Sequence, residues 1–141
     1  MAGELLYSAT DTGSRRSVMV INEGDSVWTY LTAPSSMTPV SDGWLLNLID
    51  APDSLANYKD NGQVPPVTQR FTSQPNAMTA PATEVLSSIW SEDGEAVAVL
   101  VGDRALVFLQ SSRKTGFSHF LSAAGPFGDP FDHDLFKQLF G

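Results

Sequence analysis

The six residues "AVAVLV", Ala96 to Val101, constrain this chain more than any others, because they are apolar at every position. Side chains alternate across a strand, so Val97, Val99 and Val101 point to one face and Ala96, Ala98 and Leu100 to the other. A strand apolar on both sides belongs inside a sheet whose two faces are both covered. Its neighbours supply that sheet. Val85 to Trp90 and Arg104 to Gln110 are strand-length runs, separated from it by "SEDGE" and by Gly102-Asp103, a dipeptide suited to a two-residue hairpin turn. The three form an antiparallel meander in a sandwich, a rolled sheet or a sheet roofed by a helix.

The rest of the chain extends this pattern. "ELLYSAT" reads as a first strand and "DTGSRR" as a turn. Ser17 to Asn22 and Ser26 to Thr32 are rich in Val, Ile, Trp, Tyr and Thr, and "EGD" between them offers positive φ at Gly24, which makes a hairpin. Asp42-Gly43 reads as a turn before a strand over Trp44 to Asp50, paired beside that hairpin. From residue 51 to 82, Pro52, Pro65, Pro66, Pro75 and Pro81 remove the donors a central strand needs. This is an irregular excursion, with "VTQRFTS" as an edge strand inside it and "DAPDSLANY" resembling a short helix start. So long a connection is commonly mobile or functional. "FSHFLSA" reads as a late strand, and "DPFDHDLFKQLFG" as a short helix capped by Asp129, with Pro130 at its first position. Its stripe of Phe131, Leu135, Leu139 and Phe140 should lie on the sheet. The fold class expected is mainly β (α+β): an antiparallel sheet of meander hairpins, rolled or sandwich-like, with a short C-terminal helix packed on it, in a single domain over 1–141.

Hydrophobic residues make up 42% of the 141 and charged residues 17%, a balance that supports a packed core. The absence of cysteine excludes disulfides and thiolate chemistry. No run approaches the roughly 18 apolar residues of a membrane span, and "MAGELLYSAT" lacks signal-peptide character, so a cytoplasmic protein with no membrane association is expected. The net charge of −8 repels phosphate backbones, which argues against nucleic acid, and favours a basic protein partner.

Two resemblances bear on this reading. "IWSEDGEAVAVLV" is similar to the Trp-Ser-x-Asp-Gly hairpin of propeller blades, but a propeller repeats its blade about every 40 residues and no second "WSEDG" exists here. "VINEGDSVWTYL", "WLLNLIDA" and "IWSEDGEAVAVLVGDRALVFL" followed by an aromatic tail together resemble a family of small uncharacterised bacterial proteins, a domain of unknown function, over about Ser17 to Phe136. That resemblance implies a bacterial cytoplasmic protein with a compact β-rich fold, and it carries over no catalytic residue.

Strong catalytic motifs are missing: no phosphate loop, no His-Glu-x-x-His, no nucleophile elbow and no dinucleotide fingerprint. In "GDPFDHDLF", Asp129, Asp132, His133 and Asp134 gather possible metal donors, but successive helical residues turn about 100°, so Asp132 and Asp134 diverge and capping is favoured over metal binding. No cofactor is implied. Asp93 and Asp103 sit beside glycines where short acids stabilise turns. Asp50 and Asp53, at the threshold of the excursion, are less easily reduced to capping, and His119 and His133 are the only histidines. Trp28, Tyr30, Trp44, Trp90 and Phe108 read as core, whereas Phe71 and Phe127 have the least core-like surroundings. Asp50, Asp53, Phe71, Phe127 and His119 are therefore the candidate interaction surface. The favoured function is a non-enzymatic acidic protein-binding domain, of which a bacterial immunity or inhibitor protein is one form. The alternative is a small-ligand binder or enzyme with a pocket between the sheet and the 51–82 excursion.

Overall fold

The computed structural model describes residues 3–55, 64–74 and 76–141. Two sheets face one another. The first is an antiparallel meander of β1 (Glu4–Thr10), β2 (Ser17–Asn22), β3 (Ser26–Thr32) and β4 (Pro39–Asn47). The second runs β5 (Leu86–Trp90), β6 (Ala96–Val101), β7 (Arg104–Gln110), β8 (Phe117–Ser118) and β9 (Asp129–Pro130), antiparallel except for the parallel β8–β9 pair. The helix α1 covers His133–Phe140. The mainly β reading holds, with two sheets in place of one.

The both-faced strand explains the layering. Val97 and Val99 of β6 point inward and join Val18, Val20, Val27, Leu31, Leu45, Leu46, Val107 and Leu109 in the core between the sheets, most of them with no exposure at all. Each such Val or Leu contributes about 1.5–3 kcal/mol relative to an exposed one. Ala98, on the other face, lies with Phe108 and Phe117 under Phe131, Leu135, Phe136, Leu139 and Phe140. Phe108 stacks on Phe117 at 4.6 Å and takes Phe131 edge-on at 5.0 Å. The sandwich and the helical roof, alternatives in the sequence, are both present on the two faces of one strand.

The β2–β3, β5–β6 and β6–β7 turns are those expected. Gly24, Gly94 and Gly102 all have positive φ, and Val101 pairs with Arg104 across a two-residue turn in which only Gly102 does, at 64°. That is the arrangement of a type II′ hairpin. The sheets are clamped at one end by Arg16, whose guanidinium binds Glu95 at 3.0 and 3.3 Å and donates to the Thr32 carbonyl at 3.1 Å. Glu95 also accepts from the Ser111 hydroxyl at 2.7 Å, and these hydrogen bonds, Ser111 first, hold its pKa below the usual carboxylate value.

Several local expectations are corrected. Asp42-Gly43 is no turn: β4 begins at Pro39, ends at Asn47 in place of Asp50, and carries both residues inside it. Gly43 is buried where β4 crosses the second sheet, and a Cβ there would meet Leu109 Cδ2 at 2.6 Å. "VTQRFTS" forms no strand, only a single bridge from Thr72 to Leu121: the Asn47 side chain binds the Val67 backbone, and the Gln69, Phe71 and Ser73 amides turn to the separate carbonyls of Pro52, Thr68 and Phe120. "FSHFLSA" is a strand only at Phe117–Ser118; beyond it Phe117 and Leu121 go to different clusters. Asp129 and Pro130 belong to β9, and the helix is capped instead by Asp132, which accepts from the Leu135 amide at 3.0 Å. Phe127 is buried, at 6% exposure. Asp50 to Leu55 form no helix, and the remainder of "DAPDSLANY" lies outside the described residues.

Candidate functional site

Register across the first sheet builds the site. Trp28 of β3 lies opposite Trp44 of β4, and Tyr30 opposite Asp42, which places these four on the outer face, away from the core between the sheets. Such a face cannot stand open to water. Trp28, Trp44, Val67, Leu121 and Phe127 make a second buried cluster, flanked by Leu55, Val64, Phe71 and Phe120. The excursion thus roofs the first sheet as the helix roofs the second.

The roof is held by polar side chains rather than by strand pairing. Asn47, 1% exposed, accepts through Oδ1 from the Val67 amide at 2.9 Å and from Trp44 Nε1 at 3.1 Å, and donates through Nδ2 to the Val67 carbonyl at 2.8 Å. Gln74 exchanges two 2.8 Å hydrogen bonds with the Asn47 backbone. Ser26 accepts from Trp28 Nε1 at 2.9 Å and donates to the Pro65 carbonyl at 3.3 Å. Each indole N–H is satisfied while its ring fills the cluster.

Among the described residues the cover leaves a cleft of about 410 Å³. Trp28, Tyr30 and Asp42 come to it from the sheet, Leu55, Val64 and Pro65 from the excursion, and Pro126 and Phe127 from the turn before β9. Asp42 is half-buried, and burial raises its pKa above the usual carboxylate value, offset in part by the exposed Lys114. Among the described residues the Asp42 carboxylate makes no ion pair and accepts no hydrogen bond; only its backbone is engaged, with Lys114 and Gly116. The Tyr30 hydroxyl donates to the Glu23 carboxylate, and burial, then Glu23, pushes the phenol well above its ordinary pKa. The cleft is therefore an aromatic-walled slot lined by one carboxylate that has no partner among the described residues, with a second carboxylate bound to its tyrosine.

The five residues singled out in the sequence are not brought together. Phe71 and Phe127 meet edge to face at 5.6 Å, with the Arg70 guanidinium 5.5 Å from the Phe71 ring. Asp50 is exposed and accepts from the Ala77 amide at 2.8 Å, beside a polar hollow of about 320 Å³ shared with Gln69, Thr72 and Gln74. Asp53 is exposed. His119 lies next to α1, in a hollow of about 250 Å³ with Arg104, His133, Phe131 and Phe136, and burial, followed by Arg104 and His133, lowers its pKa. Phe127 alone of the five reaches the aromatic cleft. Asp93 is a turn residue as expected, accepting from Ser91 Oγ at 2.8 Å and from the Glu95 amide at 3.0 Å. Asp129 is bound to Arg113, and among the described residues no group of three or more His, Cys, Asp or Glu could hold a metal ion. Of the cleft residues, Trp28 is core as expected, at 7% exposure, whereas Tyr30, also assigned to the core, is only half-buried, and Asp42, assigned to a turn, lies within β4. The signal available for them was the cross-strand pairing of Tyr30 with Asp42. Among the described residues no helix is long and apolar enough to cross a membrane.

Compared with known proteins, the chain matches no family model, no curated protein and no solved structure.

Proposed function

We propose that this chain is a non-enzymatic recognition domain that binds a basic protein, and that the aromatic cleft over β3 and β4 is where the partner inserts. One observation carries the reading: an aromatic slot lined by a half-buried carboxylate with no partner among the described residues, on a chain of net charge −8. Large rigid rings around a desolvated polar group are what interface anchors are built from, and the overall charge draws a basic surface toward them. Blocking that surface is how an immunity or inhibitor protein acts, and the resemblance to small bacterial proteins implies a bacterial cytoplasmic setting for it. The test is a pull-down from the producing organism at low and at high salt, followed by association kinetics with the purified partner. A basic partner whose association slows markedly as the Debye length shrinks to about 8 Å is the expected result. Recovery of no protein at either salt, with a small molecule co-purifying, overturns it.

That second outcome corresponds to a small-ligand binder. The cleft lies between the sheet and the excursion, as a ligand pocket was expected to, and its volume of about 410 Å³ suits a small molecule. Asp50, Asp53 and His119 do not converge on it, however, so the residues expected to serve such a pocket do not support that reading.

A further inference from the structure

We propose that the group recognised in the cleft of Trp28, Tyr30, Asp42 and Phe127 is the guanidinium of an arginine side chain on the partner. This deepens the protein-binding reading and rests on it.

Three features select that group. First, the walls are aromatic side chains and proline: Trp28, Tyr30 and Phe127 with Pro65 and Pro126. A planar delocalised cation packs well against aromatic rings, and arginine makes these contacts more often than lysine. Second, both Asp42 oxygens are without a protein donor among the described residues, so they can receive two parallel N–H groups from one guanidinium. The neighbouring Lys114 makes no ion pair with Asp42. Third, the lining is mostly carbon. An ammonium is a compact, strongly hydrated charge and loses much of its hydration on entering such a slot, whereas a guanidinium is weakly hydrated and loses less. The Glu23 carboxylate, engaged by the Tyr30 hydroxyl, adds negative potential. Charge complementarity and shape thus point to the same side chain.

The experiment uses the whole chain, isotopically labelled, titrated by NMR with acetyl-arginine methylamide, with the lysine analogue and with the neutral, near-isosteric citrulline analogue. The Trp28 indole N–H, hydrogen-bonded to Ser26, and the Tyr30 ring report on the cleft. Saturable shifts of both with arginine in the millimolar range are expected, with lysine and citrulline weaker by about tenfold, the factor a charge-assisted hydrogen bond carries. In Asp42→Asn, which removes no side-chain hydrogen bond among the described residues, arginine should bind no better than citrulline. Unmoved signals, lysine equal to arginine, citrulline equal to arginine, or full retention of binding in Asp42→Asn each overturn the proposal. The two readings fail separately. A basic partner that still binds Asp42→Asn with full affinity, while arginine leaves Trp28 unmoved, sinks the guanidinium assignment and leaves the recognition domain standing.

Discussion

Replacing Gly43 by alanine tests the sandwich at its tightest point. A Cβ built on Gly43 lies 2.6 Å from Leu109 Cδ2 and 2.7 Å from Val107 Cγ2, both within distances that real Cβ atoms do not show. Neither neighbour yields easily: Val107 is β-branched and stiff at χ1, and both residues are wholly buried in the core between the sheets. Forcing one methyl into a packed core costs about 1–3 kcal/mol. Alanine returns about 0.4–1 kcal/mol by restricting the unfolded chain. At the midpoints of these ranges the net destabilisation is about 1.3 kcal/mol, or a fall in Tm of roughly 4 °C for a chain of this length. Thermal and urea unfolding followed by circular dichroism measure it, with Gly13→Ala as the control, since the nearest atom to a Cβ at that exposed loop position is 3.6 Å away. If Gly43→Ala melts at or above the wild-type temperature, the two sheets do not press together at β4 and β7, and Gly43 returns to being a surface turn residue.

Gly102→Val should destabilise by on the order of 1–2 kcal/mol for a different reason, because nothing lies within 4 Å of its Cβ position and only its φ of +64° opposes the side chain; an unchanged urea midpoint removes the type II′ turn. Asn47→Ala should cost about 3 kcal/mol or more, since it strands the Val67 amide and carbonyl and the Trp44 indole N–H in a buried layer; the readout is urea unfolding together with loss of the Trp44 indole NMR signal. Asp42 has a raised pKa in the fold, so its charge opposes folding at neutral pH and its neutral form does not; Asp42→Asn should therefore melt above wild type at pH 7, with the gain vanishing as pH falls below the ordinary carboxylate value of about 4. Deleting residues 131–141 should bare Phe108 and Phe117 and produce aggregation or non-cooperative unfolding, whereas a monomeric, cooperatively melting truncation would make α1 an accessory tail.

The elements legible in the sequence are those whose geometry is decided locally. β2, β3, β6 and β7 fall where β-branched runs meet glycine turns, and both their ends coincide with the expected ones. Two of the failures share a cause, which is that a residue pair with turn or cap chemistry is used for a contact distant in sequence. Asp129 and Pro130 look like a helix start, yet Pro130 sits on the edge strand β9, where a missing N–H costs nothing, and Asp129 binds Arg113. Asp132, three residues on, has the same capping chemistry and takes that role. Asp42-Gly43 looks like a turn, yet the glycine is there because Leu109 and Val107 occupy the place of a side chain. That one misreading also hid the site. Once Gly43 lies inside β4, Asp42 falls opposite Tyr30 and into the cleft.

The stability of the protein and its proposed role draw on the outer face of the first sheet in opposite ways. Trp28 and Trp44 demand cover, and the excursion supplies it without regular structure because Asn47, Gln74 and Ser26 satisfy backbone groups that a strand or helix would have paired internally. A fold selected for stability alone would extend that cover over Tyr30 and place a neutral residue at position 42. Among the described residues the cover leaves Tyr30 half-buried, and a carboxylate disfavoured by burial lines the cleft beside it with no protein donor. The proposed arginine of a partner would match a group that weakens the free fold and has no partner among the described residues. The Asp42→Asn protein should accordingly be the more stable at pH 7 and the poorer binder of arginine, two changes of opposite sign from one substitution that a purely structural role for Asp42 does not produce.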